Sequence, residues 1–432
     1  MTSPVSSASP SRREFLKTST TVAAAGALAG LALPGSVHAA GGDTLKIGLV
    51  GCGGRGLGAA QDALQADSNC QITALGDTFA DRIEVGMKLL AKFGNKFGVA
   101  KERCFVGFDA YKQVIDSGVD VVLLCTPPHF RPAHLRYAVE KGKHVFAEKP
   151  VAVDAPGVRS VLESVKLAEQ KKLSIVSGLC WRYHAGVRET MKRIHDGAIG
   201  DIVAIQENYN TNGMLNWHRG SNPKWSPMEY QLRNWLFYTW LSGDHNVEQH
   251  VHSLDKAAWL MHEEPPVQAT GLGGRQVRTD PKYGQVFDHH AVYYEYPNGV
   301  RLYSFCRQQD GTATDTEDYF FGTQGSCQVI ANKIFDRKGN VTWQFRGKSK
   351  NMFHAEHDEL FASIRSGKPI NNGLYMARSS MLAILGRMAT YTGQTITWTK
   401  ALESQQDLTP EKYEWGPAPK SSVAVPGITE FA

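Results

Sequence analysis

The chain has 432 residues, of which 42% are hydrophobic, 21% charged and 10% aromatic, a composition that excludes a disordered or fibrous protein. Its 47 Lys and Arg exceed its 42 Asp and Glu by only five, and no run concentrates them, so we expect a small-molecule ligand and no nucleic-acid partner. Beyond the N-terminal segment no apolar run has the length of a membrane-spanning helix, so we expect no membrane span.

The N-terminal segment has the pattern of an export signal. Arg12 and Arg13 precede Phe-Leu-Lys, an apolar run rich in Ala and Gly follows over residues 18–33, and residues 37–39 form a small-residue cleavage site. This arrangement resembles a twin-arginine (Tat) signal. We therefore predict that residues 1–39 are removed and that the mature protein is periplasmic or secreted.

Short β-branched runs alternate with helical periods in the next part of the chain. The predicted strands are residues 45–50, 72–76, 119–124, 144–147 and 174–178. Strands and helices that alternate in this way are typical of a doubly wound parallel sheet with right-handed crossovers. The sequence therefore predicts an α/β domain over residues 40–180.

The pattern changes after residue 200, where long alternating segments dominate. They predict strands at 201–210, 288–296, 300–307, 318–322, 326–330 and 341–345, and helices at 248–261, 356–366 and 375–391. Tight-turn signals such as Pro297-Asn298-Gly299 indicate a mostly antiparallel, open sheet. We therefore predict an α+β domain over residues 181–402 and a polar tail over 403–432. The uncovered face of such a sheet predicts a homodimer or homotetramer.

A glycine-rich turn joins the first predicted strand to the first predicted helix. Gly51 permits a tight turn, Gly53 lets the backbone approach a pyrophosphate, and Gly56 lets the helix pack closely on the strand. Asp77, 21 residues beyond Gly56 (77 minus 56), would bind the adenosine ribose and favours NAD, while the nearby Arg82 keeps NADP as an alternative. The cofactor contacts predicted from this Rossmann fingerprint are Gly51, Gly53, Gly54, Arg55, Gly56 and Asp77.

A second set of candidate cofactor contacts follows the ends of later predicted strands. They are Thr126, Pro127, His134, Glu148 and Lys149. Because the carboxyl ends of parallel strands share one edge of a sheet, these residues would lie near the glycine-rich turn. With its Glu148-Lys149-Pro150 tripeptide, nearly the whole mature chain resembles the glucose-fructose oxidoreductase/inositol dehydrogenase/rhizopine catabolism (Gfo/Idh/MocA) family. The resemblance implies that Lys149 lies beside the nicotinamide and Glu148 near its ribose.

Glu248, His252 and Asp255 are spaced i, i+4 and i+7, which predicts that they share one face of a helix. The family commonly has Asp-x-x-x-His-x-x-Asp on this helix, so the resemblance implies a catalytic role for His252, although Glu248 replaces the first Asp. We therefore predict that His252 is the general base, that Lys149 is its partner and that Glu248 orients the reacting groups.

Aromatic and hydrogen-bonding side chains are dense around this predicted helix, a mixture that is typical of carbohydrate recognition. The predicted substrate contacts are Arg182, Tyr183, Trp217, His245 and Asp255. Other aromatic side chains of the same region, Trp235 and Trp240, fit a core or a subunit interface equally well.

The histidines of the second domain could be interpreted as a metal site, an interpretation that we do not favour. They are His245, His250, His252, His289 and His290. His250 and His252 would lie about 200° apart on a helix and could not easily share an ion. The seven cysteines are scattered without Cys-x-x-Cys spacing, so we expect neither a disulfide framework nor a zinc site. The sequence therefore predicts no metal.

Together these patterns predict an exported NAD(P)-dependent oxidoreductase that acts on a secondary hydroxyl of a sugar, sugar acid or polyol. Since free NAD is scarce outside the cytoplasm, we expect a tightly held cofactor. Two alternatives stay open. One is a redox-neutral glycosidase, which oxidises its substrate, eliminates the leaving group and reduces the product again with the same NAD. Glycosidases similar to this family carry a Tyr ahead of the catalytic His, and Glu248 does not match that pattern. The other is a non-catalytic NAD- and sugar-binding sensor, which the presence of both Lys149 and His252 disfavours.

Overall fold

A parallel six-stranded sheet forms the first half of the computed structural model, which describes residues 43–213, 217–420 and 422–432. Its strand order is β3-β2-β1-β4-β5-β6 and every neighbouring pair is parallel. The strands are β1 (Leu45–Val50), β2 (Cys70–Asp77), β3 (Cys104–Val106), β4 (Val121–Leu124), β5 (His144–Ala147) and β6 (Ile175–Ser177). The predicted export signal, residues 1–39, lies outside the described residues.

Helices cover both faces of this sheet. They are α1 (Gly54–Ala66), α2 (Ala80–Leu90), α3 (Ala110–Asp116), α4 (Arg131–Glu140) and α5 (Ala155–Gln170). Local sequence sets where they begin: the Asp154 side chain accepts a hydrogen bond of 2.8 Å from Gly157 N, and Pro156 occupies the first turn of α5. Strands β1 and β4 are almost entirely buried, as expected for a sheet covered on both sides.

The second sheet has nine strands in the order β14-β13-β12-β11-β7-β10-β9-β8-β15. The strands are β7 (Ile202–Thr211), β8 (Gln268–Gly274), β9 (His289–Glu295), β10 (Arg301–Gln308), β11 (Asp318–Gly322), β12 (Gly325–Gln328), β13 (Lys333–Asp336), β14 (Val341–Gln344) and β15 (Ile396–Thr397). Strands β7 and β10 pair in parallel, and the other neighbours in this order pair antiparallel. The predicted fold class, a doubly wound parallel sheet followed by a mostly antiparallel open sheet, is therefore confirmed.

The remaining helices pack on one face of the second sheet or return to the first. They are α6 (Ala185–His195), α7 (Pro227–Arg233), α8 (Thr239–Ser242), α9 (His245–Glu248), α10 (Val251–Leu260), α11 (Met352–Ser366), α12 (Gly373–Thr392) and α13 (Trp398–Glu403). Among the described residues, no helix is both long enough and apolar enough to cross a bilayer.

Helix α11 belongs to the core of the first domain, although it lies far along the chain. Leu360 and Phe361 are completely or almost completely buried in the same cluster as Leu49 and Phe146 of the parallel sheet. The sequence pattern assigned this helix to the second domain, residues 181–402, because period alone does not say which sheet an amphipathic helix covers. The first domain is thus completed by a segment from beyond the second sheet.

The C-terminal segment after α13 also packs on the first domain. Leu408 N donates to Asp154 Oδ2 over 3.0 Å, and Met228 N donates to Gly416 O over 3.1 Å. The Trp415 ring lies 5.7 Å from Phe79 and 5.0 Å from Phe108. The tail predicted over residues 403–432 thus runs from the start of α5 to α7 and carries aromatic anchors.

Candidate active site

The glycine-rich turn has the geometry that a bound pyrophosphate requires. Gly51 has a φ of +97°, and a Cβ there would lie 2.7 Å from the Cys125 backbone. A Cβ on Gly56 would lie only 1.9 Å from Gly51 O, so the helix could not approach the strand with any larger residue. A Cβ on Gly53 or Gly54 would meet nothing within 4 Å, so open space faces the start of α1. The residues present therefore fit a dinucleotide.

Asp77 lies at the end of β2, where the adenosine ribose of a dinucleotide is expected. Its Oδ2 accepts a hydrogen bond of 2.7 Å from Cys52 N, and its Oδ1 accepts one of 2.9 Å from Phe79 N. Burial raises the pKa of this carboxyl, and the two backbone donors oppose that shift. Asp77 is thereby fixed against the glycine-rich turn, with Arg82 lining the same cavity.

Arg55 connects the glycine-rich turn to two other elements. Its guanidinium is paired with Glu148 at the end of β5 and lies 3.3 Å from Glu356 Oε1 on α11. Burial acts to lower the pKa of Arg55, but Glu148 and Glu356 outweigh it and raise that pKa. Glu356 is completely buried and was not found by sequence reasoning, because no local motif marks it. Its carboxylate holds the Arg55 side chain over the cofactor loop.

Thr126 and Pro127, which follow β4, line the same cavity as the glycine-rich turn. His134 does not line it. Instead His134 Nδ1 lies 3.4 Å from Thr126 Oγ1, and the His134 ring stacks on Tyr111 at 3.9 Å. Burial lowers the pKa of His134 to about 3, so its ring is neutral. His134 therefore supports Thr126 from behind.

Lys149 lies at the mouth of the cavity between the two sheets. Its Nζ lies 3.1 Å from Glu248 Oε1 and also donates to the Glu248 carbonyl oxygen. His252 lines the same cavity. The three predicted catalytic side chains are therefore brought together, with Glu248 in direct contact with Lys149.

The single helix predicted through Glu248, His252 and Asp255 is wrong. Helix α9 ends at Glu248 and α10 begins at Val251, because His250 N donates to His245 O and His252 N to Gln249 O rather than following the regular pattern. The three residues thus lie on two helices. The break turns the Glu248 side chain towards Lys149 while His252 stays at the start of α10.

His252 has the protonation state that a general base needs. Burial lowers the pKa of its imidazole well below the usual 6.5, and the nearby Lys149 cation lowers it further. Its Nδ1 is buried and has no hydrogen-bond partner among the described residues. The ring is therefore neutral near pH 7 and can accept a proton.

Three of the predicted substrate contacts lie away from the cavity. Arg182 Nε donates to both carboxylate oxygens of Asp255 over 3.0 Å, and Arg182 Nη2 lies 2.7 Å from Glu263 Oε1. Tyr183 OH donates to Asn372 Oδ1 over 2.6 Å. Arg182 and Asp255 are thus paired with each other and Tyr183 with Asn372, so their positions favour a structural role.

His245 belongs to a buried cluster behind the cavity. Its Nδ1 lies 2.9 Å from Asp244 Oδ1, and His290 Nε2 lies 3.5 Å from the same oxygen. The ligand atoms of these three residues lie within 4.8 Å of one another, a grouping that could hold a metal ion; both histidines were candidates from the sequence, whereas Asp244 was not. Asp244 Oδ2 already accepts hydrogen bonds from Phe287 N and Tyr391 OH, so this carboxylate also has a structural role. The absence of a metal stays a prediction.

The main cavity has a volume of about 480 Å³, within the usual range for small-molecule sites. Of the predicted substrate contacts, Trp217 lines it. The lining residues that were not predicted as contacts include the polar side chains of Arg131, Tyr209, Arg219, Asn234 and Gln249. Arg131 is nearly fully buried and donates to the Pro150 carbonyl next to Lys149. The Pro150 contact depends on the packing of α4 against β5, which no local pattern encodes.

Two family models match the chain. Residues 45–178 match the NAD-binding Rossmann-fold model of the GFO_IDH_MocA oxidoreductase family, and residues 187–328 match a C-terminal domain model of the same family. The matched ranges correspond to the parallel sheet and to most of the second sheet. Together they span more than half of the chain.

The chain is similar to several curated proteins and solved structures. It is 25% identical over 239 residues to the 2,7-anhydro-N-acetylneuraminate hydratase of Escherichia coli, which covers 54% of this chain and 58% of that protein. It is 25% identical over 249 residues to an inositol 2-dehydrogenase of Rhizobium meliloti, covering 58% and 64%. The chain thus aligns with about three fifths of each of these relatives.

The fold extends further than the sequence similarity. The structure of the aldose-aldose oxidoreductase from Caulobacter crescentus superposes with a TM-score of 0.62 at 18% identity, covering 82% of this chain and 99% of that one. The fold thus recurs in a solved structure of low sequence identity. Since the two family models occupy the two sheets in chain order, the chain belongs to the Gfo/Idh/MocA family of oxidoreductases and carries its NAD-binding Rossmann domain.

Proposed function

We propose that this chain is an exported NAD-dependent oxidoreductase that acts on a secondary hydroxyl of a sugar, sugar acid or polyol and keeps its cofactor bound. One observation carries the proposal. Lys149, Glu248 and His252 line one cavity with the glycine-rich turn, so proton-transfer groups lie beside the place for a dinucleotide. The similarity to an inositol 2-dehydrogenase supports a polyhydroxylated substrate.

The side chains divide the work in a simple way. When bound, the nicotinamide supplies the hydride acceptor. Neutral His252 takes the proton of the substrate hydroxyl, and the Lys149 ammonium stabilises the negative charge that develops on that oxygen. Glu248 Oε1, 3.1 Å from Lys149 Nζ, holds the ammonium in place. In the reverse direction His252 returns the proton.

The C-terminal tail supports a retained cofactor. Phe79, two residues after Asp77, and Phe130 both line the cavity. The Trp415 ring lies 5.7 Å from Phe79, and the Tyr413 ring lies 5.7 Å from Phe130. His129 Nε2 lies 2.7 Å from Tyr413 OH. The tail therefore packs against aromatic side chains that line the cavity, and this packing would slow dissociation of a nucleotide.

The first experiment is to purify the protein without added nucleotide, denature it and identify the released cofactor by mass spectrometry. Near-stoichiometric NAD(H) supports the proposal, whereas NADP(H) would correct the cofactor assigned from Asp77. Truncation after Gln406 should lower the retained amount, while Trp415→Phe should keep it. An empty wild-type protein that also fails to bind NAD would contradict the proposal.

Export rests on the twin arginines and is tested separately. Replacement of Arg12 and Arg13 by Lys should leave the full-length protein in the cytoplasmic fraction, whereas the wild type should be recovered outside it in a shortened form. Recovery of both forms in the cytoplasmic fraction would contradict export, and recovery of both outside it would contradict the twin-arginine route.

A redox-neutral reaction is the second candidate function, favoured by the similarity to a hydratase rather than by geometry. In that case a product would form from a glycoside or anhydro sugar with no net change in NAD absorbance. Incubation of the NAD-loaded protein with such substrates, followed by product analysis and absorbance at 340 nm (the absorption band of NADH), separates the two reactions.

A further inference from the structure

A polar groove, formed by residues 210–213 at the end of β7 and residues 314–316 before β11, adjoins the main cavity. Its volume is about 530 Å³. Trp217 and Gln249 line both the groove and the main cavity, so the two adjoin at these residues. Gln249 directly follows Glu248, which contacts Lys149. The groove therefore begins next to the proposed catalytic side chains.

The walls of the groove are fixed by backbone pairing. Asn210 N donates to Asp315 O over 2.7 Å, and Asp315 N donates to Asn210 O over 2.9 Å. The Asp315 carboxylate is held in turn, because its Oδ2 accepts from Asn208 Nδ2 over 2.7 Å and its Oδ1 accepts from Glu317 N over 2.9 Å. A ligand would thus meet an ordered surface rather than two independent loops.

The chemistry of the groove suits a neutral sugar. Asn212, Thr314 and Thr316 are exposed, and their side chains have no hydrogen-bond partner among the described residues. A carboxylate offers about four acceptor sites, so Asp315 can accept further hydroxyl donors. Trp217 is 46% exposed and offers an aromatic face for the C–H side of a pyranose.

The charge of the groove further restricts the class of ligand that it can bind. Asp315 is its one ionisable lining residue among those described, and no Lys or Arg lines it. A phosphate or carboxylate on the ligand would therefore be repelled at this position. A hydroxyl-rich, uncharged group is the class that these residues favour.

We propose that the substrate is a neutral disaccharide or other glycoside, whose reacting ring lies beside Lys149 and whose second unit occupies the groove past Trp217. This inference rests on the proposed function and adds the size and charge of the substrate to it. No further bond is made or broken in the groove, which contributes binding alone.

The test compares kcat/KM for sugar oxidation between monosaccharides and neutral disaccharides, with an excess of a second carbonyl compound that takes the hydride from the retained NADH and so permits turnover. The probes are glucose, galactose, mannose and their methyl glycosides against cellobiose, maltose and lactose. The disaccharides should be preferred by about tenfold, as expected for one or two additional hydrogen bonds. The double variant Asn212→Ala/Thr316→Val should bring the ratio of disaccharide to monosaccharide kcat/KM close to one. The control is Asn95→Ala/Thr399→Val, which changes two exposed residues that do not line the groove and should keep the ratio.

Two failures are distinguishable. If sugars of both sizes are oxidised with equal kcat/KM, or if the groove variant keeps the wild-type ratio, the groove inference is overturned and the proposed function stands. If no sugar of either size reduces bound NAD and no product forms, the proposed function fails and the groove inference falls with it. A preference for the 6-phosphates of the same monosaccharides would overturn the charge argument.

Discussion

At the scale of residues, the site contains one cation, one carboxylate and one neutral imidazole. Lys149 comes from the turn after β5, Glu248 from the end of α9 and His252 from the start of α10. The ion pair of Lys149 and Glu248 is largely buried, with about an eighth of each side chain exposed (14% and 13%). Because this ion pair and the neutral base beside it are largely shielded from water, a proton can pass between the substrate and the side chains without competition from solvent.

Replacement of either proton-transfer residue should therefore slow the chemical step. We expect Lys149→Met and His252→Asn each to lower kcat by about 10²- to 10⁴-fold, the usual contribution of general acid–base catalysis. The cofactor content of the purified variants should stay close to the wild-type level, because the residues assigned to the pyrophosphate and the adenosine ribose, the glycine-rich turn and Asp77, are unchanged. Lys368→Met, at an exposed position, is the matched control and should keep wild-type kcat. Variants of Lys149 and His252 with unchanged kcat would contradict their assigned roles.

The lowered pKa of His252 has a consequence for the pH profile. The base works only when neutral, so kcat/KM should fall on the acid side with a midpoint below 6.5, the ordinary pKa of His. Since the Lys149 cation contributes to that lowering, Lys149→Met should raise the pKa of His252 and move the residual acid limb towards higher pH. Profiles from pH 4.5 to 9 measure both. A wild-type midpoint above 6.5 would contradict the neutral base.

At the scale of elements, helix α11 has two functions that its position in the chain does not suggest. Its apolar side closes the core of the parallel sheet through Leu360 and Phe361. Its N-terminal half supplies Glu356, whose Oε1 lies 3.3 Å from Arg55 Nη2. Packing of this helix thus links the stability of the first domain to the position of the cofactor loop.

Truncation of the α11 core side chain should be costly. Leu360 is fully buried, so we expect Leu360→Ala to lower the free energy of unfolding by about 2–5 kcal/mol through lost burial and the resulting cavity. Leu374→Ala on α12, where the side chain is 46% exposed, is the matched control and should change it by less than about 0.5 kcal/mol. Urea unfolding followed by circular dichroism gives both values. Equal effects of the two substitutions would contradict the assigned packing.

At the scale of the whole molecule, the outer face of the second sheet carries apolar side chains. Along β10 buried and exposed residues alternate, and Tyr303 and Phe305 are 38% and 37% exposed. Phe321 on β11 pairs with Ala204 of β7, which pairs with Arg301 at an exposed position of β10, and Phe321 is 39% exposed. Exposed aromatic side chains on an uncovered sheet face are frequent at protein interfaces, so the homodimer or homotetramer stays a prediction.

The expected result is a dimer or tetramer at micromolar concentration in sedimentation velocity. Phe305→Glu should shift the mass towards the monomer, because two copies of the charge would be buried opposite each other in a symmetric interface. Leu374→Glu, at an exposed position outside the second sheet, should leave the mass unchanged. A monomeric wild-type protein would contradict the predicted interface.

Most of the fold could be predicted from local pattern. Strand β1 (Leu45–Val50), β5 (His144–Ala147) and β11 (Asp318–Gly322) coincide with the predicted ranges, because alternation and apolar runs are local properties. The glycine-rich turn was equally readable, since its chemistry depends on residues next to one another in the chain. Short strands such as β3 and β15 were missed, because a segment of two or three residues is too short to show a period.

The sequence by itself determined the two-sheet architecture and the dinucleotide turn, since strand and helix periods and the glycine spacing are local properties. The resemblance to the family, not local pattern, pointed to Lys149 and His252 as proton-transfer candidates. Tertiary structure alone decided the rest. It broke the helix after Glu248, committed Arg182 to Asp255, brought Glu356 to Arg55 and laid the tail against Phe79. Each of these contacts joins residues whose approach depends on how helices pack on sheets, and that packing is set by the whole buried surface rather than by any local pattern.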